Sequence, residues 1–486
     1  MKLRDVLAGL EITCLRADLD TEINAVRYDS RSVERGDLFV AVRGFQTDGH
    51  AFIPAAVNNG AAAVVCESAP DVDVPYIAVP DSRLALALAA KNFYRDPASE
   101  IQVIGVTGTN GKTTATTLIK RILDSTGAKT GLIGTNAVII GSEAVPAAHT
   151  TPESADLQAL LRKMADAGCR CAVMEVSSHA LSLCRVAGVR FAVGAFTNLT
   201  QDHLDFHKTM DNYAAAKAGL FAQCAKAVIN ADDAYSPVML DAARRGGAET
   251  ATYSLLSPAA DIYARGLLLK PDSLSFSAVT ADGSKTVRLG MPGRFSVYNA
   301  LCAIGCCTSL GVPLGQCAAA LCGVGGPKGR MESVPTDGDC TIIIDYAHTP
   351  DALENALRTL REGAVGRVVA VLGCGGDRDR GKRPKMGKIA AEEADFAVIT
   401  SDNPRTESPD AIIEDILGGI GAEKTNYTVI PDRTAAIEWA IENHVSGDII
   451  LLAGKGHETY QEVGHVRRHM DEREIVASVI EKRKHK

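Results

Sequence analysis

Apolar and polar positions along the chain divide into short strand-like runs and longer helical patterns. Near the N-terminus, "DLFVAV", "AAAVVCE" and "YIAVP" predict strands separated by glycine-rich and polar turns. The pattern "SRLALALAAKNFYRDPAS" predicts a helix that stops near Asp96 and Pro97. We therefore expect a small α/β domain over residues 1–97.

A second region begins with the apolar run "IQVIGVTG", which predicts a buried strand, followed by a helix in "KTTATTLIKRILDSTG" that ends at Gly127. The runs "CAVMEV", "FAVGAFTNL" and "KAVIN" predict further strands with helical patterns between them. Such alternation is typical of a mostly parallel sheet covered on both faces. We assign residues 98–329 to this central domain.

A cluster of glycines in "GVGGPKGRMESV" precedes another alternating region. Its predicted strands are "TIIIDYA", "RVVAVLG", "FAVITSD" and "DIILLAG". Residues 330–486 are thus predicted to form a Rossmann-like C-terminal domain. A chain of 486 residues is also long enough for about three domains, so the expected fold class is α/β with three domains.

Composition narrows the possible functions. The apolar fraction is 46% and the net charge is −8 with both signs interspersed, which argues against disorder and against a dedicated nucleic-acid surface. The N-terminus lacks the apolar core of a signal peptide, and no later stretch is apolar enough to span a bilayer. We expect a cytoplasmic monomer without membrane contact. None of the thirteen cysteines forms a C-x-x-C pair, and the closest groupings, Cys169/Cys171 and Cys302/Cys306/Cys307, are predicted to be reduced core residues.

The stretch "IGVTGTNGKTTATT" lies where a predicted strand gives way to a helix. It departs from the common phosphate-loop pattern because Val106 stands where the first glycine is expected. Backbone N–H groups and the positive end of a helix meet there, which favours a bound phosphate. Lys112 is predicted to neutralise nucleotide phosphates, and the Thr113 hydroxyl to hold Mg²⁺.

Further polar residues of the central domain carry weaker signals. Glu175 follows a predicted strand and is either a ligand for Mg²⁺ or a cap for the next helix. His203 and His207, with Asp202 nearby, form either a metal site or a solvated surface. Lys217 on its own is typical of the solvated end of an amphipathic helix.

Four polar loops follow the strands predicted in the C-terminal domain, and parallel strands bring such loops to one edge of a sheet. They are "IDYAHTPDAL", "GCGGDRDRGKRP", "SDNPRTESP" and "AGKGHETYQ". Their charges indicate one charged ligand. Arg405 offers a planar fork for a carboxylate and Asp402 an acceptor for an ammonium group, with Pro404 stiffening the turn. The alternative is that Asp402 and Arg405 pair with each other.

These motifs together resemble the Mur ligases of peptidoglycan synthesis. The resemblance rests on segments in the family's order along nearly the whole chain: "DSR" at residues 29–31, "GTNGKT" at 108–113, "TTP" at 150–152, "EVSSHAL" at 175–181, "HLDFH" at 203–207, "GRME" at 329–332, "DYAHTPD" at 345–351, "DNPR" at 402–405 and "GKGHE" at 454–458. The family's loop is spelled G-T-N-G-K-T, which accounts for Val106.

The resemblance implies an ATP- and Mg²⁺-dependent ligase. It implies that Glu175 and His203 bind Mg²⁺ with Thr113, and that Lys217 is carboxylated to N6-carboxylysine. With Lys112, these are the expected catalytic residues. The expected nucleotide contacts are Gly108, Thr109, Asn110, Gly111, Lys112, Thr113, Thr114, Asn299, Arg330 and Asp345.

Substrates also follow from the resemblance, which is strongest to members that add meso-2,6-diaminopimelate to the D-glutamate γ-carboxylate of UDP-N-acetylmuramoyl-L-alanyl-D-glutamate through an acyl phosphate. The UDP substrate is expected at Ser30, Thr150, Thr151, Ser177 and Arg185, and diaminopimelate at Arg378, Asp402, Asn403, Pro404, Arg405, Gly454 and Glu458. The alternatives are an L-lysine-adding or other Mur-type ligase, and a regulator that binds UDP-sugars or nucleotides without turnover.

Overall fold

A computed structural model describes residues 1–44, 47–141, 143–145, 149–336, 338–464 and 466–484. The chain forms two compact units: Met1–Tyr263 with Asn299–Cys317, and Ala264–Tyr298 with Ala318–Lys486. The predicted domain boundaries after residues 97 and 329 are not the divisions between these units, and they stay predictions.

The first unit begins with a small sheet in the strand order β1-β5-β4-β3-β2, antiparallel at β1 and parallel elsewhere. The predicted strands and helix are all present. The Asp81 side chain accepts from the N–H groups of Arg83 and Leu84, which fixes where the long helix starts. The elements are α1 (Leu3–Val6), β1 (Cys14–Arg16), β2 (Val26–Arg27), β3 (Leu38–Val40), α2 (Ile53–Asn58), β4 (Ala63–Cys66), β5 (Tyr76–Ala78) and α3 (Ser82–Phe93).

A larger sheet follows in the same unit. Its elements are β6 (Gln102–Thr107), α4 (Lys112–Ser125), β7 (Thr130–Ile133), β8 (Val138–Ile140), β9 (Glu143–Val145), α5 (Ser154–Asp166), β10 (Cys171–Glu175), α6 (Ser178–Ser182), β11 (Phe191–Phe196), α7 (Leu204–His207), α8 (Met210–Ala218), β12 (Cys224–Asn230), α9 (Ser236–Arg245) and β13 (Glu249–Ser254). The strand order is β13-β12-β11-β6-β10-β7-β8-β9. β6 runs parallel to both of its neighbours, so the loops after β6, β10 and β11 leave the same edge.

The chain then crosses between the units more than once. The elements here are β14 (Ile262–Leu269), β15 (Leu274–Thr280), β16 (Gly283–Gly290), α10 (Arg294–Ser309), α11 (Leu314–Leu321) and β17 (Val324–Gly325). β15 and β16 form an antiparallel hairpin, and β17 pairs parallel to β16. The cysteines of α10, at positions 302, 306 and 307, are free and buried, which confirms that they are reduced core residues.

The rest of the second unit is a sheet in the order β18-β19-β23-β20-β21-β22, parallel except at β18, and a β24–β25 hairpin. All four predicted strands lie side by side in its centre. The elements are β18 (Glu332–Val334), β19 (Thr341–Asp345), α12 (Pro350–Gly363), β20 (Val368–Leu372), α13 (Lys382–Glu393), β21 (Phe396–Ile399), α14 (Pro409–Leu417), β22 (Tyr427–Val429), α15 (Arg433–Glu442), β23 (Ile449–Ala453), β24 (Tyr460–Val463), β25 (Val466–His469) and α16 (Glu472–Lys484).

Candidate functional site

The loop between β6 and α4 wraps around the side chain of its own lysine. Lys112 Nζ donates to the carbonyl oxygens of Gly108 at 2.9 Å and of Thr109 at 2.8 Å. Gly111 has φ = +85°, and a Cβ there would lie 2.4 Å from Oδ1 of Asn299. A glycine is therefore required at Gly111 for both its conformation and the packing of Asn299. The arrangement places an ammonium group and the N-terminus of α4 at one point.

The end of β11 holds this loop in place. The N–H groups of Thr109 and Asn110 donate to the backbone and side-chain oxygens of Asn198 at 2.8 and 2.9 Å. Thr197 Oγ1 donates in turn to the Asn110 carbonyl at 2.6 Å. Thr114 is buried in the first turn of α4. The predicted nucleotide contacts from Gly108 to Thr114 thus form one anchored structure, and Asn299 packs on it.

Glu175 ends β10 with its carboxylate buried beside the phosphate loop. Its Oε1 accepts from Thr113 Oγ1 at 3.0 Å and from the Thr135 N–H at 2.8 Å. The cap of α6 is Ser177, whose hydroxyl accepts from the Ala180 N–H. The capping alternative for Glu175 is therefore wrong. The contact with Thr113 joins two of the predicted magnesium ligands.

Lys217 is buried, whereas its sequence context predicted a solvated helix end. The side chain is 1% exposed, and its Nζ donates to the Gly108 carbonyl at 2.8 Å. Burial lowers the pKa of Lys217 well below its usual range, and the charge of Lys112 adds to the effect. The solvated interpretation is wrong because this face of α8 packs against the phosphate loop. A buried lysine that readily gives up its proton is chemically reactive.

His203 and His207 have different polar partners, although both rings pack against His179 and Tyr213. His203 precedes α7, with its ring Nε2 3.4 Å from Asp202 and its ring edge-on to His179. His207 is buried, bonds through Nε2 to Ser178 Oγ at 2.9 Å, and has a pKa lowered to about 4, mainly by burial. Partial burial also lowers the pKa of His203, and the charges of Lys112 and Lys217 contribute. His203 is thus near the phosphate loop, and His207 belongs to the core.

The predicted contacts for the UDP substrate divide into two groups. Thr151 Oγ1 donates to the Glu175 carbonyl at 2.9 Å, and the Ser177 N–H donates to Thr151 Oγ1 at 3.1 Å. Arg185 donates through Nη1 to the Thr151 carbonyl at 3.1 Å. Its Nε is buried, and no described residue accepts a hydrogen bond from it.

Two residues extend this network or lie apart from it. Thr150 Oγ1 lies 3.1 Å from Thr135 Oγ1, so Thr150 joins the network around Glu175. Ser30 is buried in a short helical turn of the N-terminal sheet region, where its carbonyl accepts from Asn59. Thr135 was not predicted, although a polar residue just after a strand is the signal that would have found it.

In the second unit, Arg330 and Asp345 lie around Tyr346. The Arg330 guanidinium lies 5.0 Å from the centre of the Tyr346 ring, and the Met331 N–H donates to Asp345 Oδ2 at 2.7 Å. Burial raises the pKa of Asp345, an effect that the charge of Arg330 opposes. The two predicted nucleotide contacts in this unit are therefore neighbours.

The four polar loops of the second unit meet at a cavity of about 350 Å³, as the parallel strands predicted. Its charged side chains carry both signs. The predicted residues Arg378, Asp402, Asn403, Arg405, Gly454 and Glu458 line it, together with Tyr346, His348, Thr349, Gly373, Cys374, Gly375, Asp379 and Lys382. Pro404 is buried behind the wall.

Asp402 and Arg405 line this cavity without pairing with each other. Asp402 Oδ1 accepts from the Asn403 N–H at 2.7 Å, and its Oδ2 lies 3.9 Å from Nη1 of Arg433. Arg405 has φ = +50°, and its Nη1 donates to the Gly376 carbonyl at 2.7 Å. The self-paired alternative is wrong, since each side chain is held by a different neighbour.

Buried basic residues brace the loops from behind. Lys455 donates to Asn403 Oδ1 at 3.0 Å and lies 3.3 Å from Glu458 Oε2. Arg383, which is 0% exposed, binds both oxygens of Glu407 at 2.9 and 2.7 Å. Arg433 is buried as well. The sequence did not predict this, because nothing around Arg433 distinguishes it from a surface residue at the start of a helix.

Comparison with known proteins gives the family. Three family models match: "Mur ligase family, catalytic domain" at residues 22–94, "Mur ligase middle domain" at 106–307 and "Mur ligase, glutamate ligase domain" at 329–456. The chain belongs to the Mur ligase family, and its α/β fold follows that family's three-domain organisation.

The chain is 44% identical to the UDP-N-acetylmuramoyl-L-alanyl-D-glutamate--2,6-diaminopimelate ligase of Clostridioides difficile, over 99% of this chain and 100% of that one. The enzyme of the same name from Bacillus velezensis is also 44% identical, with 99% of each chain covered.

Among solved structures, one of an enzyme with the same name is 35% identical, with a TM-score of 0.77 and full coverage of both chains. MurF from Acinetobacter baumannii, at 22% identity, TM-score 0.62 and 94% coverage of both chains, shares the fold.

Two kinds of feature are absent from the ranges that the structure describes. Across those ranges, no three His, Cys, Asp or Glu side chains converge as a metal site. Every helix within them is too short or too polar to cross a bilayer.

Proposed function

We propose that this protein joins meso-2,6-diaminopimelate to the D-glutamate γ-carboxylate of UDP-N-acetylmuramoyl-L-alanyl-D-glutamate, with ATP as the energy source. The protein is an ATP-dependent ligase of peptidoglycan synthesis, as its family and its full-length relatives are. The product is an amide, and its formation from a free carboxylate is uphill in water, which accounts for the use of ATP.

The observation that carries the choice of amino acid is the charge pattern of the cavity in the second unit. Diaminopimelate has two ammonium and two carboxylate groups. The cavity offers the cations Arg378, Lys382 and Arg405 and the acids Asp379, Asp402 and Glu458. A ligand with an ammonium and a carboxylate group at each end complements these charges better than a ligand with only one carboxylate. We assign the distal carboxylate to Arg405, since a planar guanidinium binds carboxylates with two hydrogen bonds.

In the first unit, the loop from Gly108 to Thr114 is proposed to hold the ATP phosphates. Lys112 is already aimed inward by its bonds to two loop carbonyls, and it stabilises charge on the γ-phosphoryl group during transfer. The D-glutamate γ-carboxylate attacks the γ-phosphorus of ATP, the bond to the β-phosphate breaks, and ADP leaves, which yields an acyl phosphate. The amine of diaminopimelate then attacks the acyl carbon, and inorganic phosphate leaves. The arrangement stabilises transferring charge with groups fixed in advance.

The residues near this loop fit Mg²⁺. Glu175 and Thr113 supply a carboxylate and a hydroxyl in contact, and both are oxygen ligands that Mg²⁺ prefers. His203 is the third proposed ligand. When bound, the metal would neutralise phosphate charge and orient the γ-phosphoryl group.

Lys217 as an ammonium does not fit a metal site, but its environment favours carboxylation. Its low pKa leaves a neutral amine that can attack CO₂, and the resulting carbamate is an anion able to bind Mg²⁺. The nitrogen keeps one hydrogen after carboxylation, so its bond to the Gly108 carbonyl is compatible with the modified side chain. We therefore propose N6-carboxylysine at Lys217.

The UDP substrate is proposed to lie along the network of Thr150, Thr151, Ser177 and Arg185. The buried Nε of Arg185 supports this assignment, since a donor left without an acceptor is the kind that a phosphate or carboxylate satisfies. Ser30 is proposed to contact the same substrate from the N-terminal domain. Residues 1–97, 98–329 and 330–486 are proposed as the three domains, in a monomer that works in the cytoplasm, where the nucleotide-linked substrate and ATP are available.

The decisive experiment is phosphate release with the UDP substrate, ATP and Mg²⁺, with meso-diaminopimelate and L-lysine as alternative acceptors. We expect phosphate release and a product of the correct mass with diaminopimelate, and at most a small fraction of that rate with L-lysine. Turnover with lysine alone would identify a lysine-adding ligase. Release with neither acceptor, despite binding of the UDP substrate, would indicate a regulator without turnover.

A further inference from the structure

A buried ion pair lies behind the amino-acid cavity, and the assigned site residues do not include it. Arg433 and Glu472 are both 0% exposed. Nε and Nη2 of Arg433 donate to the same oxygen of Glu472, at 2.8 and 2.7 Å. They are the first residues of α15 and α16, so two helices meet at this pair.

The remaining donors of Arg433 reach the backbone of two cavity loops. Nη2 donates to the Ala453 carbonyl at 2.8 Å, and Nη1 contacts the Ser401 carbonyl at 3.5 Å. Ala453 directly precedes Gly454, and Ser401 directly precedes Asp402, so each contact lies one residue from a cavity wall. One guanidinium therefore joins the loops that follow β21 and β23.

The pair also sets the charge beside Asp402. Nη1 of Arg433 lies 3.9 Å from Asp402 Oδ2, close enough for strong attraction in a buried site. Glu472 binds the same guanidinium at much shorter range. Its second oxygen, Oε2, is buried and has no hydrogen-bond partner among the described residues, so the carboxylate is directed to Arg433 alone. Glu472 thereby balances the cation and leaves the charge of Asp402 available to a ligand.

We propose that Arg433 and Glu472 are positioning residues for the amino-acid substrate, which hold the loops of Asp402 and Gly454 together and leave the Asp402 carboxylate free of a close pair with Arg433, so that it can bind a substrate ammonium group. The inference rests on the proposed function, because it takes the cavity to be the diaminopimelate site. Arg433 carries a cation at a helix N-terminus, where the helix dipole opposes it, so its compensation by Glu472 is a requirement of the site.

The test uses the full-length enzyme and Glu472→Gln, which keeps the shape of the side chain and removes its charge. The positive charge of Arg433 is then no longer balanced by Glu472, and the guanidinium is expected to pair with Asp402 instead. We expect KM for diaminopimelate to rise roughly ten- to hundredfold, with KM for ATP and for the UDP substrate unchanged. Arg433→Lys keeps the charge but loses the forked contact and should give a smaller rise. Glu474→Gln, in the same helix but on the surface, is the matched control.

A double-mutant cycle separates this role from simple loosening of the fold. If Glu472 acts through Asp402, then Asp402→Asn combined with Glu472→Gln should be hardly worse than Asp402→Asn alone. Additive effects, an unchanged KM for diaminopimelate, or an equal rise for all three substrates would overturn the proposal.

If Glu472→Gln does not fold, Arg433→Gln combined with Glu472→Gln removes both charges. This double variant should fold and still raise KM for diaminopimelate, and an unchanged KM for diaminopimelate would also overturn the proposal. Failure of the wild-type enzyme to use diaminopimelate would refute the proposed function instead.

Discussion

Replacing Arg405 with alanine tests the assignment of the distal carboxylate. The guanidinium is held in place by its bond to the Gly376 carbonyl, and the side chain is only 20% exposed. A charge-assisted pair in such a setting contributes about 2–4 kcal/mol, which corresponds to a loss of roughly 30- to 1000-fold in kcat/KM for diaminopimelate. L-lysine has no distal carboxylate, so its much lower kcat/KM should hardly change. The ratio of kcat/KM for diaminopimelate to kcat/KM for L-lysine should therefore fall by nearly the same factor as kcat/KM for diaminopimelate itself.

The assay is initial-rate phosphate release at saturating ATP and UDP substrate with each amino acid in turn. Arg467→Ala is the matched control, because Nε of Arg405 and Nε of Arg467 each lie 3.7 Å from Glu462 Oε2, but the Arg467 side chain is 62% exposed. It should retain nearly all activity with diaminopimelate. An unchanged KM for diaminopimelate in Arg405→Ala would refute the reasoning, and so would equal losses with both amino acids, since the arginine would then act on something the two ligands share.

Three other changes probe the first unit. Gly111→Ala forces a Cβ to 2.4 Å from Asn299 in a left-handed backbone and should abolish ATP-dependent turnover and lower Tm; normal ATP binding would contradict this. Enzyme freed of CO₂ should lose activity and regain it with bicarbonate. Because burial and Lys112 depress the pKa of Lys217, a larger fraction of its amine is neutral than in an ordinary lysine, and CO₂ uptake should fall as pH drops through that lowered pKa. Uptake that requires pH above the ordinary lysine pKa would show that Lys217 is not the reacting amine. Arg185→Lys should raise KM for the UDP substrate about tenfold without changing KM for ATP, and equal changes in both would argue against the assignment.

The sheets were predictable because their signal is local. A central parallel strand is buried on both faces and reads as an apolar run, as "VVAVL" of β20 does, with every residue buried. The direction of such strands then places the following loops at one edge, so the cavity residues from Arg378 to Glu458 were correctly expected to come together.

Burial of single charged residues was not predictable in the same way. Lys217 lies in a helix whose sequence is compatible with solvent, and only the packing of α8 against the phosphate loop buries it. For Glu175, the sequence left two roles open, and the position of Ser177 as the true cap excluded the capping role. Arg433 depends on Glu472 in another helix, a contact between distant positions that no local pattern encodes.

The two units use the same physical device with different residues, and the difference matches the chemistry proposed for each. In each unit a buried basic side chain donates to a carbonyl of a ligand loop: Lys217 to Gly108 and Arg433 to Ala453. Burial and the charge of Lys112 depress the pKa of Lys217, Asp202 opposes them by a smaller amount, and a neutral lysine can be converted to an anion. Burial also opposes the charge of Arg433, but Glu472 and Asp402 raise its pKa above the usual value, and arginine does not lose its proton in proteins. A lysine therefore suits a site whose charge must be reversed to bind a metal, and an arginine suits a clamp whose charge must persist. Exchanging the two residues would remove both properties. An arginine at position 217 cannot become a carbamate, and a lysine at position 433 has no planar fork with which to contact two loops and a carboxylate at once.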